Sequence, residues 1–228
     1  MNDENIHTDT TPQSSDPYNI IVKPLRTCSY EQGYAEMTNY LINRNSATQD
    51  EIWMFEAEEA FYTTGKGVTK DLSTAYNDLK VIPSKRGGKM TAHAPGQITV
   101  VVLLDLRRRG LSLDDHHKIL LKSMLETVQN LGYDSAWIDK DNPGVYAVTE
   151  QYPKVKIGSI GVRTLNFRYT YYGITLNVDM DLDVWGGIDP CGDPELKISD
   201  LKTLGIPSSI TEVSELLAAN LVKNLTPS

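Results

Sequence analysis

Residues 154–192 read KVKIGSIGVRTLNFRYTYYGITLNVDMDLDVWGGIDPCG, and their pattern decides the fold. The runs VKIGSIGV (155–162) and YYGITLNVDM (171–180) are rich in β-branched and aromatic residues of roughly alternating character, which predicts two strands. The stretch opens with Lys154 and Lys156 and closes with Cys191 between Pro190 and Gly192. Antiparallel pairing of two such strands can bring a lysine at the start of one toward a loop beyond the end of the other. An ammonium beside a thiol lowers its pKa and makes a nucleophile. A lone cysteine more often packs as a small buried apolar residue, so residue type by itself leaves both roles open.

The chain around this stretch has 228 residues, 40% hydrophobic and 23% charged, enough for one sizeable core in an ordinary globular protein. A formal net charge of -8 argues against a general nucleic-acid footprint, which needs a basic face. Cys28 and Cys191 do not form a disulfide framework and suit a reducing compartment. The longest apolar stretch, Ile98 to Leu104 with Thr99 inside it, is far too short for a membrane span and reads as a buried strand. The first twenty residues are polar and acidic, unlike a secretory or organellar signal, so a cytoplasmic protein is expected. Residues 1–18 read as a flexible tail and 19–228 as a single domain.

Taken in order, Tyr18 to Val22 begins a first strand, and Ser29 with Gln32 is a capping-box signature. Tyr30, Tyr34, Met37 and Leu41 then share one face of a helix ending near Asn43. EIWMFEAEEAFYTTG (51–65) gives one or two strands, and the GKG that follows lacks the G-x-x-x-x-G-K-S/T spacing of a nucleotide-binding loop. The segment from Thr69 to Lys80 is read as carrying a short helix. Arg86-Gly87-Gly88-Lys89 places paired glycines beside two cations, which permits close backbone approach to a ligand; a tight turn is the favoured reading. His93 is expected in a loop entering a strand, either orienting a substrate or packing as a hydrogen-bonded structural residue. That strand, 97–106, runs into Arg107, Arg108 and Arg109, read as a solvated face or a contact for an acidic partner.

Ser112 and Asp115 cap the next helix, with Leu121, Met124, Leu125, Val128 and Leu131 as its apolar stripe and Gly132 as its stop. His116 and His117 in its first turns show no zinc pattern and read as surface or packing groups. DSAWIDKDNPGVYAV (134–148) predicts strand, turn and strand. Asp179, Asp181 and Asp183 lack the glycine and glutamate of a calcium loop, so no metal site is expected. Pro207 and Ser209 with Glu212 start a last helix that buries Ile210, Val213, Leu217 and Leu221.

Four elements in this order carry a family resemblance. They are EIWMFE with its following TTG, RGGKMTAHAPGQITVVVLLDLRR (86–108), KIGSIGV (156–162) and GITLNVDMDLDVWGGIDPCG (173–192). Over about residues 29–222 the chain resembles the lipoyl(octanoyl) transferases. The resemblance implies an α/β (α+β) fold, a mixed, largely antiparallel sheet flanked by helices, of the biotin/lipoate protein ligase-transferase type. It implies transfer of an octanoyl group from octanoyl-acyl carrier protein to a lysine of a lipoyl domain, as found in 2-oxoacid dehydrogenase or glycine cleavage proteins. Cys191 matches the family nucleophile and Lys156 its partner lysine; only this match chooses Lys156 over Lys154. Arg86, Gly87, Gly88, Lys89, His93, Pro95, Gly96 and Gln97 fall on the substrate loop, Gly158, Ser159, Ile160 and Gly161 on the acyl-site segment, and Gly173 on a further substrate-binding position.

Thioester exchange followed by amide formation needs neither ATP nor a metal, so no cofactor is expected, and a monomer is expected. An ATP-dependent lipoate or octanoate ligase of the same fold is the enzymatic alternative, and a non-catalytic homologue binding lipoyl domains is the other. The pattern departs from the family at Lys89, Ala92 and Ala94, at Val100-Val101-Val102, at Ala57-Glu58-Glu59 and at Tyr172. Lys85, Arg86, Lys89 and Arg107–Arg109 are expected to form a basic dock for an acidic carrier protein.

Overall fold

A computed structural model of the chain describes residues 18–65, 79–190 and 193–227. The two strands read from the opening stretch are β9 (Val155–Leu165) and β10 (Tyr169–Asn177), an antiparallel pair with Gly161 opposite Gly173. They form the centre of a sheet in the order β1 (Ile20–Cys28), β2 (Asp50–Ala57), β6 (Gln97–Leu103), β10, β9, β8 (Gly144–Ala147), β7 (Trp137–Asp139). The short β11 (Lys197–Ile198) joins β9 in parallel. Apart from β11–β9 and β1–β2 every pair in this sheet is antiparallel. The crossover that the parallel β1–β2 pair requires is α1 (Tyr30–Asn43). A second, three-stranded sheet runs β4 (Lys80–Ile82), β3 (Phe61–Thr63), β5 (Thr91–His93).

Alternation along the central strands sends residues to two cores. Ile52, Met54, Val100, Val102, Ile157 and Leu176 pack with α3 (Leu113–Asn130) and α4 (Ile210–Leu225), which meet that face through Met124, Val128, Leu217 and Leu221. Trp53, Phe55, Val101 and Leu103 face α1 through Met37. Ser112 and Ser209 each complete a capping box, with Asp115 and Glu212 respectively. Ser29 caps α1 by accepting from the backbone N–H of Gln32, but the Gln32 side chain donates to Glu36 instead of reaching back. Asp181 caps a 3₁₀ turn (Leu182–Gly187), while Asp179 pairs with Lys202. The carboxylates of Asp179 and Asp181 are therefore engaged locally, Asp183 is exposed, and among the described residues no three His, Cys, Asp or Glu side chains converge on a metal position.

The structure corrects several expectations. The strand from Gln97 stops at Leu103, because Asp105 accepts from the Arg108 backbone N–H and caps a short helix, α2 (Leu106–Arg109). Arg108 and Arg109 do not form a solvated face: both pair with Asp50, as does Arg44, and Asp50 is fully buried. A buried carboxylate is costly unless it is paired and hydrogen-bonded, so it draws the guanidinium groups inward. Only Arg107 of that run is exposed, and the expected basic dock is not assembled from it. His93 lies in β5 and not in a loop. The short helix expected from Thr69 falls almost wholly outside the described residues, and so does the tail. Among the described residues no helix is long and apolar enough to cross a membrane.

Candidate active site

A cavity of about 460 Å³ opens between the central sheet, α1 and the loop joining β4 to β5, within the usual size of small-molecule sites. Much of its wall is apolar and comes from both cores: Met37, Phe55, Val100, Val101, Ile160, Val162 and Ile174. Lys156 enters it from β9 and is only 2% exposed, whereas Lys154 lies just before the strand with its side chain 45% exposed and paired to Asp139. That pairing holds the Asp139 carboxyl down to about 2, the Lys154 hydrogen bond being the largest cause. Lys156 Nζ donates to Asn142 Oδ1 at 3.0 Å and lies 5.4 Å from the centre of the Tyr146 ring. Register slips by one residue between Val145 and Tyr146, opposite Ile157, and the cavity wall in β9 changes from Lys156 to Ser159 across this irregularity.

Arg86, Gly87, Gly88 and Lys89 line the opposite wall. Gly88 takes φ 83, so the turn reading and the ligand-wall reading of the paired glycines coincide in one loop. Arg86 does not extend freely into the cavity. Its Nε donates to Thr63 Oγ1 at 3.1 Å, one terminal nitrogen to Thr63 O at 2.8 Å and the other to Gly87 O at 2.9 Å. Gly161 lets this loop lie on β9, since a methyl there would come 3.3 Å from Arg86 Cδ. His93 also lines the cavity, but both ring nitrogens are engaged, Nδ1 with Gln97 Oε1 at 2.9 Å and Nε2 with Thr63 Oγ1 at 3.2 Å, and the ring stacks on Phe61. Burial first, and the Arg86 charge second, push the His93 pKa down to about 4, so the imidazole is neutral near pH 7.

Of the residues expected at the site, the cavity gathers Lys156, Arg86, Gly87, Gly88, Lys89, His93, Ser159, Ile160, Gly161 and Gly173. Pro95, Gly96, Gln97 and Gly158 are not among its lining residues. Pro95 is exposed, the Gly96 N–H donates to Glu56, and Gln97 is buried behind His93. Gly158 turns the other way: a methyl on it would meet the Met124 sulfur of α3 at 3.0 Å, so its smallness seats a helix. Cys191 and Gly192 lie outside the described residues; Pro190, the residue before them in the chain, lines the cavity. Cys28 lines it too, buried at the end of β1, where burial pushes its thiol pKa up and disfavours the thiolate. Reading the sequence by residue type missed Thr63, Asn142 and the ring wall of Tyr30, Tyr34 and Tyr172. Two tyrosines in the apolar stripe of α1 were the available signal, because their polar tips suit a cavity better than a sealed core.

The fold is one shared with solved lipoate-protein ligases. The bipartite lipoate protein ligase of Thermoplasma acidophilum, solved with its E2 lipoyl domain, superposes with a TM-score of 0.69 at 15% identity, over 91% of this chain and 84% of that one. Residues 33–225 match the lipoyl protein ligase A/B catalytic domain, and the chain belongs to that family. It is 32% identical over 213 residues to an octanoyltransferase of Polynucleobacter asymbioticus, covering 91% of this chain and 99% of that protein. To an octanoyltransferase of Bordetella pertussis it is 34% identical over 198 residues, 87% of this chain and 89% of that one.

Proposed function

We propose that this chain is an octanoyltransferase of protein lipoylation. It takes an octanoyl group from octanoyl-acyl carrier protein onto Cys191 as a thioester and passes it to a lysine amine of a lipoyl domain. The observation that carries this reading is the shared cavity: an almost fully buried lysine, Lys156, and Pro190, the neighbour of Cys191 in the chain, line one apolar space with the Arg86–Lys89 loop. The identity to octanoyltransferases over nearly their whole length supports the same chemistry.

In the first step the Cys191 thiolate attacks the carrier thioester, the new C–S bond forms as the carrier's C–S bond breaks, and the leaving carrier sulfur takes a proton from Lys156. In the second step the lipoyl-domain amine attacks the acyl-cysteine, the C–N bond forms, the C–S bond breaks to release the Cys191 thiolate, and the amine proton passes to Lys156. Lys156 carries the proton between sulfur and nitrogen. Exchange between thioesters is nearly balanced and amide formation is downhill, so neither ATP nor a metal takes part. The octanoyl chain lies against Val100, Val101, Ile160, Val162 and Ile174, each buried methylene contributing about 0.8 kcal/mol. The enzyme works as a cytoplasmic monomer on carrier protein and on lipoyl domains of 2-oxoacid dehydrogenase or glycine cleavage proteins.

The test is transfer without ATP. Octanoyl-carrier protein and apo lipoyl domain, mixed with this protein alone, should yield an octanoyl-lipoyl domain detected by intact mass. Transfer that appears only when ATP and free octanoate are supplied would replace this reading with a ligase.

A further inference from the structure

We propose that Thr63, Gln97 and Asn177 are positioning residues that hold the Arg86–Gly88 wall of the cavity through a hydrogen-bond chain running in one direction. The inference rests on the cavity being the octanoyl site. Its starting point is that five buried polar residues from separate elements, Thr63, His93, Gln97, Asn177 and Ser199, join end to end behind the cavity.

The direction follows from which atoms can only accept. Asn177 Nδ2 donates to the Ser199 carbonyl at 2.9 Å, which leaves Asn177 Oδ1 to accept from Gln97 Nε2, also at 2.9 Å. Gln97 Nε2 further faces the Ala92 carbonyl at 3.3 Å. Flipping the Gln97 amide would set its oxygen against two acceptors, so Oε1 must face His93 Nδ1. An amide oxygen only accepts, hence His93 carries its proton on Nδ1. A neutral imidazole has one such proton, so Nε2 presents a lone pair, and the Thr63 hydroxyl donates to it. The Thr63 oxygen is then free to accept from Arg86 Nε, a group that only donates.

The two ends of the chain are the two walls of the cavity. At one end the Ser199 N–H donates to the Lys156 carbonyl at 3.0 Å. At the other, Arg86 clasps the Gly87 carbonyl and both oxygens of Thr63. The Ser84–Met90 loop has no regular ladder of its own, so its backbone depends on such side-chain bonds for a fixed place. Removing the Thr63 hydroxyl leaves His93 Nε2 and Arg86 Nε without this partner and frees the loop to move relative to Lys156.

The chain is tested by long-range proton–nitrogen NMR on the labelled full-length protein, together with transfer kinetics. In the wild type His93 should be the Nδ1–H tautomer near neutral pH; an Nε2–H tautomer overturns the proposal. Thr63→Val should shift the Gly87 and Gly88 amide signals and lower kcat/KM for octanoyl transfer about 100-fold, the loss expected for a displacement near 1 Å. Thr63→Ser keeps the hydroxyl and should restore transfer to within about tenfold of wild type. Equal loss in the two variants, or unmoved Gly87 and Gly88 signals in Thr63→Val, would also overturn it. A wild type that transfers no octanoyl group would count against the functional reading alone, since the tautomer and the amide shifts are read in the same spectra.

Discussion

A methyl group built on Gly144 would come 2.4 Å from Lys156 Cε and 2.5 Å from the Gly158 carbonyl. The side chain of Lys156 therefore reaches Asn142 by passing over a position that holds no side chain. Its neighbour Lys154 meets no such constraint and settles on Asp139 at the surface. This contrast in burial is what separates two lysines that share the Tyr146 ring, at 4.8 and 5.4 Å. Gly144→Ala should push Lys156 Nζ off Asn142 and lower kcat for octanoyl transfer about 100-fold, in keeping with the sensitivity of proton transfer to placement. Steady-state kinetics, read well below the melting temperature, check this beside a thermal melt, because the contact with the Gly158 carbonyl should lower Tm as well. Wild-type kcat in the variant would show that the ammonium does not need this path.

At the scale of elements, what was legible in the sequence was local. The β9–β10 pair, the Ser112–Asp115 and Ser209–Glu212 boxes and the stripes of α3 and α4 depend on neighbours within a few residues, and they stand where periodicity put them. The arginine run was misread because its meaning lies in Asp50, more than fifty residues upstream in the chain and paired only through the fold. His93 was open between two roles for the same reason: its partners Thr63 and Gln97 come from different elements, and residue type says nothing about who meets it. Gly158 and Gly161 look alike in KIGSIGV, yet one faces Met124 of α3 and the other faces Arg86. The three-residue strands β3 and β5, which carry Thr63 and His93 to the cavity, are too short to show a period. The candidate site was legible mainly through family resemblance, and its supporting hydrogen bonds became visible only with the fold.

For the whole molecule, two buried histidines tie stability to acidity. Burial lowers the pKa of His93 to about 4 and that of His116 to about 3, and neither ring nitrogen of His116 has a hydrogen-bond partner among the described residues. Between about pH 6.5 and pH 4 the unfolded chain binds protons at these positions that the folded chain refuses, so stability falls as pH falls through that window. By pH 5 the loss should be about 2 kcal/mol for each histidine. Thermal melts should show a lower Tm at pH 5 than at pH 7, with the slope reduced in His116→Gln; a slope unchanged in that variant would contradict the assignment.

The central claim is that Cys191 carries the acyl group and that Cys28, the cysteine among the described residues, lines the cavity without doing so. The buried position and raised pKa of Cys28 argue against it as the nucleophile. The direct measurement is to incubate the protein with octanoyl-carrier protein, trap the acyl-enzyme, and map the octanoyl mass to a peptide. The account predicts the adduct on the peptide containing Cys191, lost in Cys191→Ala and retained in Cys28→Ser. An adduct on Cys28, or one that survives Cys191→Ala, would contradict it.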